Sequence, residues 1–223
     1  AQAKLAILTA AGLGESVLVD SIPLRTIRSI EAVDFVYAKR LGATIRQVSR
    51  AERNEDNQVV ASVQPMLIPT SSTLAQVGGS RNMVVVEGES GGETAFAGLG
   101  AGGLPTAVAV VSDLESIARG TSEVSGILVK SAPREVVGEF VSPHYIRFVI
   151  SDRPGIIAAL AGVFSRHGVN VDSILQEPGW SKEELPFVMT LEACDTASVR
   201  EGLKESELFD FHQRPPLWMP VLA

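Results

Sequence analysis

The protein has 223 residues, of which 45% are hydrophobic and 20% charged, so wholesale disorder is excluded and one large or two modest domains are expected. Lys and Arg number 19 against 26 Asp and Glu, and the net charge of −7 argues against a nucleic-acid backbone as the main ligand. The one cysteine, Cys194, excludes an internal disulfide and a zinc site built from several cysteines, and it suits a reducing compartment. No apolar run approaches the length of a membrane span.

The chain begins with residues typical of the interior of a helix. Residues 3–10 are mostly good helix formers, and Gly12 and Gly14 are expected to end the helix. No Ser, Thr, Asp or Asn precedes it to cap the first backbone N–H groups, and the sequence does not start with Met. We expect either a frayed helix end or a sequence that continues upstream of Ala1.

Residues 1–120 are predicted to form a unit of helices and mostly antiparallel strands, and residues 121–142 to form a connector. Apolar side chains spaced by three or four residues indicate helices, and alternating ones indicate strands. In chain order we predict a helix over 31–42 ending at Gly42, an extended run over 44–51, a turn over 52–57, a strand over 59–63 ended by Pro65 and Pro69, a hairpin of strands 83–87 and 93–97, and a helix over 104–118 followed by Gly120.

Residues 143–223 are predicted to form a second unit with the element order βαββαβ, a ferredoxin-like layer. The fold class of the whole chain is therefore α+β, with a mixed or antiparallel sheet in the first unit. The elements are a strand ending at Ser151, a turn over 152–155, a helical stripe over 156–164 closed by Gly168, strands over 169–175 and 187–191, a helix over 195–205, and a strand over 217–222.

A glycine-rich string precedes the predicted helix at 104–118. Gly98, Gly100 and Gly103 match the G-x-G-x-x-G spacing of a dinucleotide-binding loop. The strand before it belongs to a hairpin, and the next strand candidate, residues 126–129, ends at Lys130 rather than at an acid that could bind a ribose hydroxyl. Two interpretations stay open: a tight hairpin-to-helix turn, or a loop where a ligand approaches the backbone near a helix N-terminus.

Two further features have both a functional and a purely structural interpretation. The turn from Asp152 to Ile156 could bind a carboxylate through free backbone N–H groups, or could simply connect a strand to a helix. Lys4 could extend past an apolar helix face to solvent, or act as a general acid–base if it is desolvated near a substrate. The three histidines show no metal-ligand spacing, so no metal is expected: His144, His167 and His212.

These strings together resemble two known families. Residues 143–223 resemble an ACT domain, on YIRFVISDRPGIIAALAGVFSRHGVNVDSILQ at 145–176. Residues 1–120 resemble the catalytic, C-terminal part of homoserine dehydrogenase. The matching strings are AKLAIL near the start, VQPMLIP at 63–69, LAQVGGSRNMVVVEG at 74–88 and GLGAGGLPTAVAVVSDL at 98–114.

The first resemblance implies an oxidoreductase reaction, the NAD- or NADP-dependent interconversion of aspartate 4-semialdehyde and homoserine, a step towards threonine and methionine. It implies that Lys4 binds substrate and transfers a proton. It also implies that Gly100, Ala101, Gly102 and Thr106 face the nicotinamide end of a cofactor held mainly by an upstream Rossmann domain. Without that domain, the chain alone is expected to be inactive.

The ACT resemblance implies an enzyme regulated by an amino acid, with threonine as the expected effector. The single cysteine suits the cytoplasmic location that we expect. The implied effector-binding residues are Asp152, Gly155 and Asn170, placed where two ACT units meet in a homodimer or higher oligomer. No nucleic-acid or membrane partner is expected.

The sequence departs from the dehydrogenase pattern at Pro23, Arg46 and Met83. These departures affect the expected identity of the substrate more than the expected fold. An alternative interpretation is therefore a non-enzymatic amino-acid sensor, in which a degenerate dehydrogenase scaffold carries the ACT module.

Overall fold

The computed structural model describes residues 1–121 and 132–222. The strand candidate at 126–129, with Lys130 at its end, lies outside the described residues. The described residues form, in order, α1 (Gln2–Leu13), α2 (Ala32–Arg40), β1 (Ala43–Arg53), β2 (Val59–Pro69), β3 (Arg81–Gly88), β4 (Gly92–Leu99), α3 (Gly103–Ala118), β5 (Val141–Ile150), α4 (Ile156–Arg166), β6 (Val171–Gln176), β7 (Leu185–Asp195), α5 (Thr196–Ser206) and β8 (His212–Pro220).

The three sheets are antiparallel, and together with the helices they confirm the α+β class. β1 pairs with β2, β3 pairs with β4, and the second unit holds a four-stranded sheet of order β6-β7-β5-β8. Glycine ends α1 as expected, because Gly14 adopts a left-handed φ of 68° and its N–H returns to the carbonyl of Ala10. Among the described helices, none combines the length and hydropathy that a bilayer crossing requires.

The prediction that Pro65 ends the second strand is wrong, because β2 continues to Pro69 and pairs with β1 throughout. Ala61, Val63 and Leu67 direct backbone hydrogen bonds to segments on the side of β2 away from β1. Peptide groups alternate in direction along a strand, so the nitrogen of Pro65 also points away from β1. The missing N–H of this proline therefore removes no bond from the β1–β2 ladder.

The predicted hairpin and the helix after it form as expected but pack against little of the described chain. β3 and β4 pair from Arg81↔Leu99 to Gly88↔Gly92. All of β4 is exposed, and α3 has no buried residue along its 16 positions. Large apolar side chains are left exposed here, for example Phe96 at 63% and Leu104 at 82%. An apolar surface of this extent is typical of a contact face.

The second unit places α4 and α5 on one face of its four-stranded sheet, which confirms the predicted βαββαβ order. The core between these layers combines buried residues of β5, β7, α4 and α5, including Phe148, Leu160, Phe164, Phe187 and Val199. The phenyl rings of Phe148 and Phe187 stack with centroids 5.3 Å apart. This closely packed core holds the turn after β5 and the start of β6 in place.

The last strand begins earlier than predicted, at His212 rather than Leu217. The pairing of β8 with β5 shifts register between Arg147 and Val149, and Pro215 and Pro216 fall opposite this shift. β8 is an edge strand, where a bulge accepts prolines that would interrupt a central strand.

The other face of this sheet packs against the first unit. Tyr37 of α2 is fully buried, and its hydroxyl donates to the carbonyl of Pro186 at 2.9 Å. A second core cluster joins α2, β1 and β2 of the first unit to the sheet of the second, including Val33, Ile45, Leu67, Tyr145, Val188 and Met219. The two units are therefore joined by a continuous apolar core.

The connector expected over residues 121–142 is described from residue 132 onward. It follows the first unit closely, since Arg134 bridges to Val17 and Val137 bridges to Val60. β5 begins at Val141. The end of the connector thus lies between the two units.

His144 provides a pH-dependent contribution to stability. The side chain is fully buried, the Trp218 indole N–H donates to its Nδ1 at 3.0 Å, and its Nε2 lies 3.3 Å from the carbonyl of Cys194. A proton on Nδ1 would displace the indole N–H, and burial lowers the pKa of His144 to about 4. Between that value and its pKa of about 6.5 in the unfolded chain, only the unfolded chain binds the proton, so stability falls as pH falls.

We therefore expect the wild type to lose about 1 kcal/mol more unfolding free energy than His144→Gln when the pH drops from 7.5 to 5.5. Urea titrations at both pH values measure this difference. His167→Gln serves as the control, because His167 pairs with Glu205 near the surface. Equal losses in the wild type and in His144→Gln would contradict the assignment.

Candidate functional site

Lys4 lies on the solvent side of α1, beside the residues that anchor the helix. Leu5 and Thr9 are buried, whereas Lys4 is exposed. Ile7 and Leu8, three and four positions later, share its face and are 59% and 43% exposed. A partner surface that covered Ile7 and Leu8 would also exclude water from around the Lys4 ammonium.

The predicted cofactor residues lie together at the start of α3. Residues 100–103, which we call the glycine loop, border an open concavity of about 830 Å³ with Thr106, Ala107, Val110 and Val111. No side chain caps the N-terminus of α3. Pro105 has no N–H and the Thr106 N–H donates to the carbonyl of Gly102, so the N–H groups of Gly103 and Leu104 are left without a helical acceptor at this edge of the concavity. Free N–H groups at a helix start favour a polar or anionic ligand group.

Glycine is favoured at two positions of this loop. A Cβ at Gly100 would require the exposed side chain of Asn82 to move, and Gly102 has a φ of 129°, which other residues rarely adopt. The Thr106 hydroxyl donates to the carbonyl of Gly102 at 2.8 Å and holds the loop against the helix. The loop shape is thus set by backbone conformation and by one side-chain hydrogen bond.

Lys4 and the glycine loop are not brought together by contacts of the described chain. α1 packs on β1 and on the short turn Val19–Ser21, and Lys4 does not line the concavity at the glycine loop. A ligand shared by both would have to extend between them. Substrate and cofactor together are ligands of that kind.

The turn at the start of α4 is well ordered by hydrogen bonds. The Asp152 N–H donates to the carbonyl of Lys182 at 2.6 Å, and Gly155 adopts a φ of 95° immediately before α4. Arg153 pairs with Asp210, and this guanidinium lowers the pKa of the Asp210 carboxyl. No side chain caps α4, so its first N–H groups remain available for a ligand.

Asn170 lies at the opposite end of the sheet from this turn. Its side-chain amide donates to Glu192 at 3.1 Å, next to the start of β6. β7 joins the two regions, because Leu185 pairs with Ile150 at one end and Leu191 pairs with Val171 at the other. Six residues of strand separate them, about 20 Å. Asp152 and Asn170 of one copy cannot bind the same small ligand.

Two of the residues that depart from the dehydrogenase pattern have clear structural roles. Arg46 donates to the carbonyls of Ala75 and Val77, at 3.4 and 3.1 Å, and so holds the turn after β2. The ring of Pro23 lies close to Gly138 of the connector: a Cβ added to Gly138 would be 2.7 Å from Pro23 Cγ. Met83 is half-buried in β3 opposite Ala97.

Sequence reasoning missed a buried charged cluster between the units. Asp34 of α2 is fully buried and accepts hydrogen bonds from the Tyr145 hydroxyl and from Arg147 Nε, each at 2.8 Å. Arg147 also lies 3.1 Å from Glu31. Burial and the adjacent Asp34 carboxylate raise the pKa of Tyr145. The sequence offered no signal for this cluster, because more than 100 residues separate its acidic members on and beside α2 from its members on β5.

Comparison with known families matches both units. The family model described as homoserine dehydrogenase matches residues 1–114, and the ACT domain model matches residues 144–205. The solved structure of a homoserine dehydrogenase from Thiobacillus denitrificans superimposes with a TM-score of 0.85 and 25% identity, covering all of this chain and 52% of that one. A Staphylococcus aureus homoserine dehydrogenase, 21% identical, gives a TM-score of 0.69 and supports the fold.

Curated homoserine dehydrogenases also match this chain in sequence. The homoserine dehydrogenase of Mycobacterium leprae is 36% identical over 185 residues, which span 79% of this chain and 42% of the relative. That of Bacillus subtilis is 32% identical over 218 residues, 92% of this chain and 49% of the relative. The chain spans about half the length of the curated relatives it matches. It belongs to the homoserine dehydrogenase family and carries an ACT domain after the region that matches the family model.

Proposed function

We propose that this chain is the substrate-binding and regulatory portion of an NAD- or NADP-dependent homoserine dehydrogenase that interconverts aspartate 4-semialdehyde and homoserine. The observation that carries the proposal is the family match over residues 1–114. The exposed glycine loop and the bare face of α3 support it, because both are suited to a contact with a further part of a longer enzyme.

The glycine loop fits one end of a nicotinamide cofactor. Its backbone is accessible because Gly100 and Gly102 carry no side chain, and the uncapped N–H groups of α3 suit the carbonyl of a carboxamide. The described sheets are antiparallel and offer no parallel βαβ unit for the pyrophosphate. We propose that the main cofactor site lies in a part of the enzyme outside this chain. The cofactor supplies or accepts the hydride.

Lys4 is the proposed proton-transfer residue. During reduction the aldehyde oxygen gains negative charge and needs a proton, and an ammonium can both orient this oxygen and stabilise the charge. The exposed Ile7 and Leu8 provide an apolar border on the same helix face. Covering this border lowers the local dielectric, which strengthens the interaction of the ammonium with the oxygen.

The ACT unit is proposed to bind an amino-acid effector, with threonine as the first candidate. The free N–H groups after Gly155 suit its carboxylate, with Asp152 beside them and Asn170 supplied by another copy. The separation of Asp152 from Asn170 within one chain supports a homodimer. We also propose a cytoplasmic location, in line with the single free cysteine.

A fusion experiment tests the proposed function. The chain alone is expected to show no NAD- or NADP-dependent oxidation of homoserine, since the hydride acceptor has no complete site. Joined in frame behind the segment of the Bacillus subtilis relative that precedes the matched region, it is expected to gain turnover. A spectrophotometric assay of nicotinamide reduction measures both, with the unfused B. subtilis segment as the control.

Two outcomes would contradict the proposal. Turnover by the chain alone would show that the described residues bind the whole cofactor. A folded fusion without turnover, together with calorimetric heat when threonine is added to the chain alone, would favour the amino-acid sensor instead. Circular dichroism of the fusion establishes whether it is folded.

A further inference from the structure

A cavity of about 460 Å³ lies where the first unit, the connector and the second unit meet. We call it the interunit cavity. It is bordered by Arg25 and Gln64 of the first unit, Glu139 of the connector, and Thr196, Arg200 and Trp218 of the second unit. Its volume falls within the range of small-molecule sites. It is separate from the glycine loop and from the turn at Asp152.

Arg25 carries its charge into this cavity without a carboxylate partner. Its Nε and Nη2 donate to Gln64 Oε1, and its Nη1 donates to the carbonyl of Trp218 at 2.8 Å. Its guanidinium also lies over the Trp218 ring, 4.1 Å from the centroid. Among the described residues, no carboxylate lies within 4.0 Å of it, so a partly buried cation is held by neutral acceptors alone.

The environment of Arg25 is electrostatically unfavourable. Burial, with a smaller contribution from the charge of Arg200, lowers the pKa of Arg25 to about 10. A buried charge normally requires an ionic partner, because the protein interior solvates it poorly. Gln64 and Trp218 use three of the five guanidinium N–H donors and leave two for a ligand.

The charges that border the cavity do not cancel. Arg200 lies 3.1 Å from Glu139, and both side chains are about half exposed, at 55% and 45%. Glu139 is the carboxylate found along the cavity wall in the described parts of the chain. The two guanidinium groups and this one carboxylate leave a net charge of +1 facing the cavity.

We propose that the interunit cavity binds a small organic carboxylate, held by the guanidinium groups of Arg25 and Arg200. A carboxylate would supply the missing counter-charge and accept the unused N–H groups of Arg25. Guanidinium and carboxylate are both planar and can form paired hydrogen bonds. The indole of Trp218 and the ring of Phe140 provide apolar surface for the carbon skeleton of the ligand.

Binding at this position would link the two units. Arg25 belongs to the first unit, while Arg200 and Trp218 belong to the second, so one ligand contacts both. A ligand that binds only when the two units are correctly joined stabilises that arrangement. This inference does not depend on the proposed catalytic reaction or on the effector site at Asp152.

Tryptophan fluorescence offers a local test. The chain has two tryptophans, Trp180 and Trp218, so Trp180→Phe leaves Trp218 as the only indole reporter. In this background we expect propionate and L-aspartate, titrated separately at constant ionic strength, to change the Trp218 emission with saturation. The two probes distinguish a simple carboxylate from an amino acid. Inorganic phosphate can also form paired hydrogen bonds with a guanidinium. It has no carbon skeleton to contact Trp218 and Phe140, so it is expected to bind more weakly than the better of the two carboxylates.

Matched variants decide whether the cavity is the site. Arg200 is half-exposed, so Arg200→Met is expected to fold. Both Arg200→Met and Arg25→Met should weaken binding of the carboxylate about 10- to 100-fold. Arg153→Met, at the far turn, should leave the affinity unchanged. The proposal is overturned if neither carboxylate saturates, if phosphate binds more tightly than both, or if Arg200→Met binds as well as Arg153→Met.

Discussion

Replacing Asp34 by alanine is expected to destabilise the protein by about 3–5 kcal/mol, as for other buried ion pairs that lose one partner. Asp34 is fully buried and accepts from Tyr145 and Arg147, while its second oxygen accepts the backbone N–H of Glu31 at 2.8 Å. Without this carboxylate, the Arg147 side chain, only 5% exposed, retains Glu31 as its one ionic partner among the described residues. The Tyr145 hydroxyl also loses its acceptor.

Urea unfolding of Asp34→Ala and of the wild type measures this effect. Asp210→Ala is the control, since Asp210 forms an exposed ion pair with Arg153 whose loss should change the stability little. Combining Asp34→Leu with Arg147→Met should recover part of the stability, because both buried charges are then removed. A loss below about 1 kcal/mol in Asp34→Ala would contradict the importance of this cluster.

Replacing Lys4 by methionine is expected to lower kcat of the active fusion about 100- to 10,000-fold, the usual contribution of a positioned acid–base group. Methionine keeps the length and the helix preference of the side chain but removes the proton and the charge. Because Lys4 is exposed, the substitution should leave the unfolding free energy nearly unchanged.

Lys39→Met is the matched control, since Lys39 is an exposed lysine on α2. Steady-state assays of both variants in the fusion separate kcat from KM. A change of less than threefold in kcat for Lys4→Met would contradict the proposed proton transfer by Lys4 and leave it as a surface residue of α1. A rise in KM with unchanged kcat would assign it to substrate binding without proton transfer.

Sequence reasoning was most accurate where the controlling residues are close together in the chain. Gly14 ends α1, β3 and β4 pair as predicted, and the turn at Asp152 leads into α4. It was wrong at Pro65, where proline was expected to stop a strand, and at β8, which begins at His212 rather than at Leu217. The direction of the Pro65 nitrogen and the edge position of β8 decided those outcomes, and both depend on the neighbouring strands.

Most elements and the βαββαβ order could be predicted from the sequence, because periodicity, glycine turns and family strings are local. Which side chains meet depends instead on the packing of these elements. Arg25 reaches Gln64 and Trp218 across 39 and 193 residues of chain, and Asp34 reaches Arg147 across 113. Such contacts depend on how α2, β2 and the four-stranded sheet pack together, since packing of apolar faces fixes the positions of the polar groups between them.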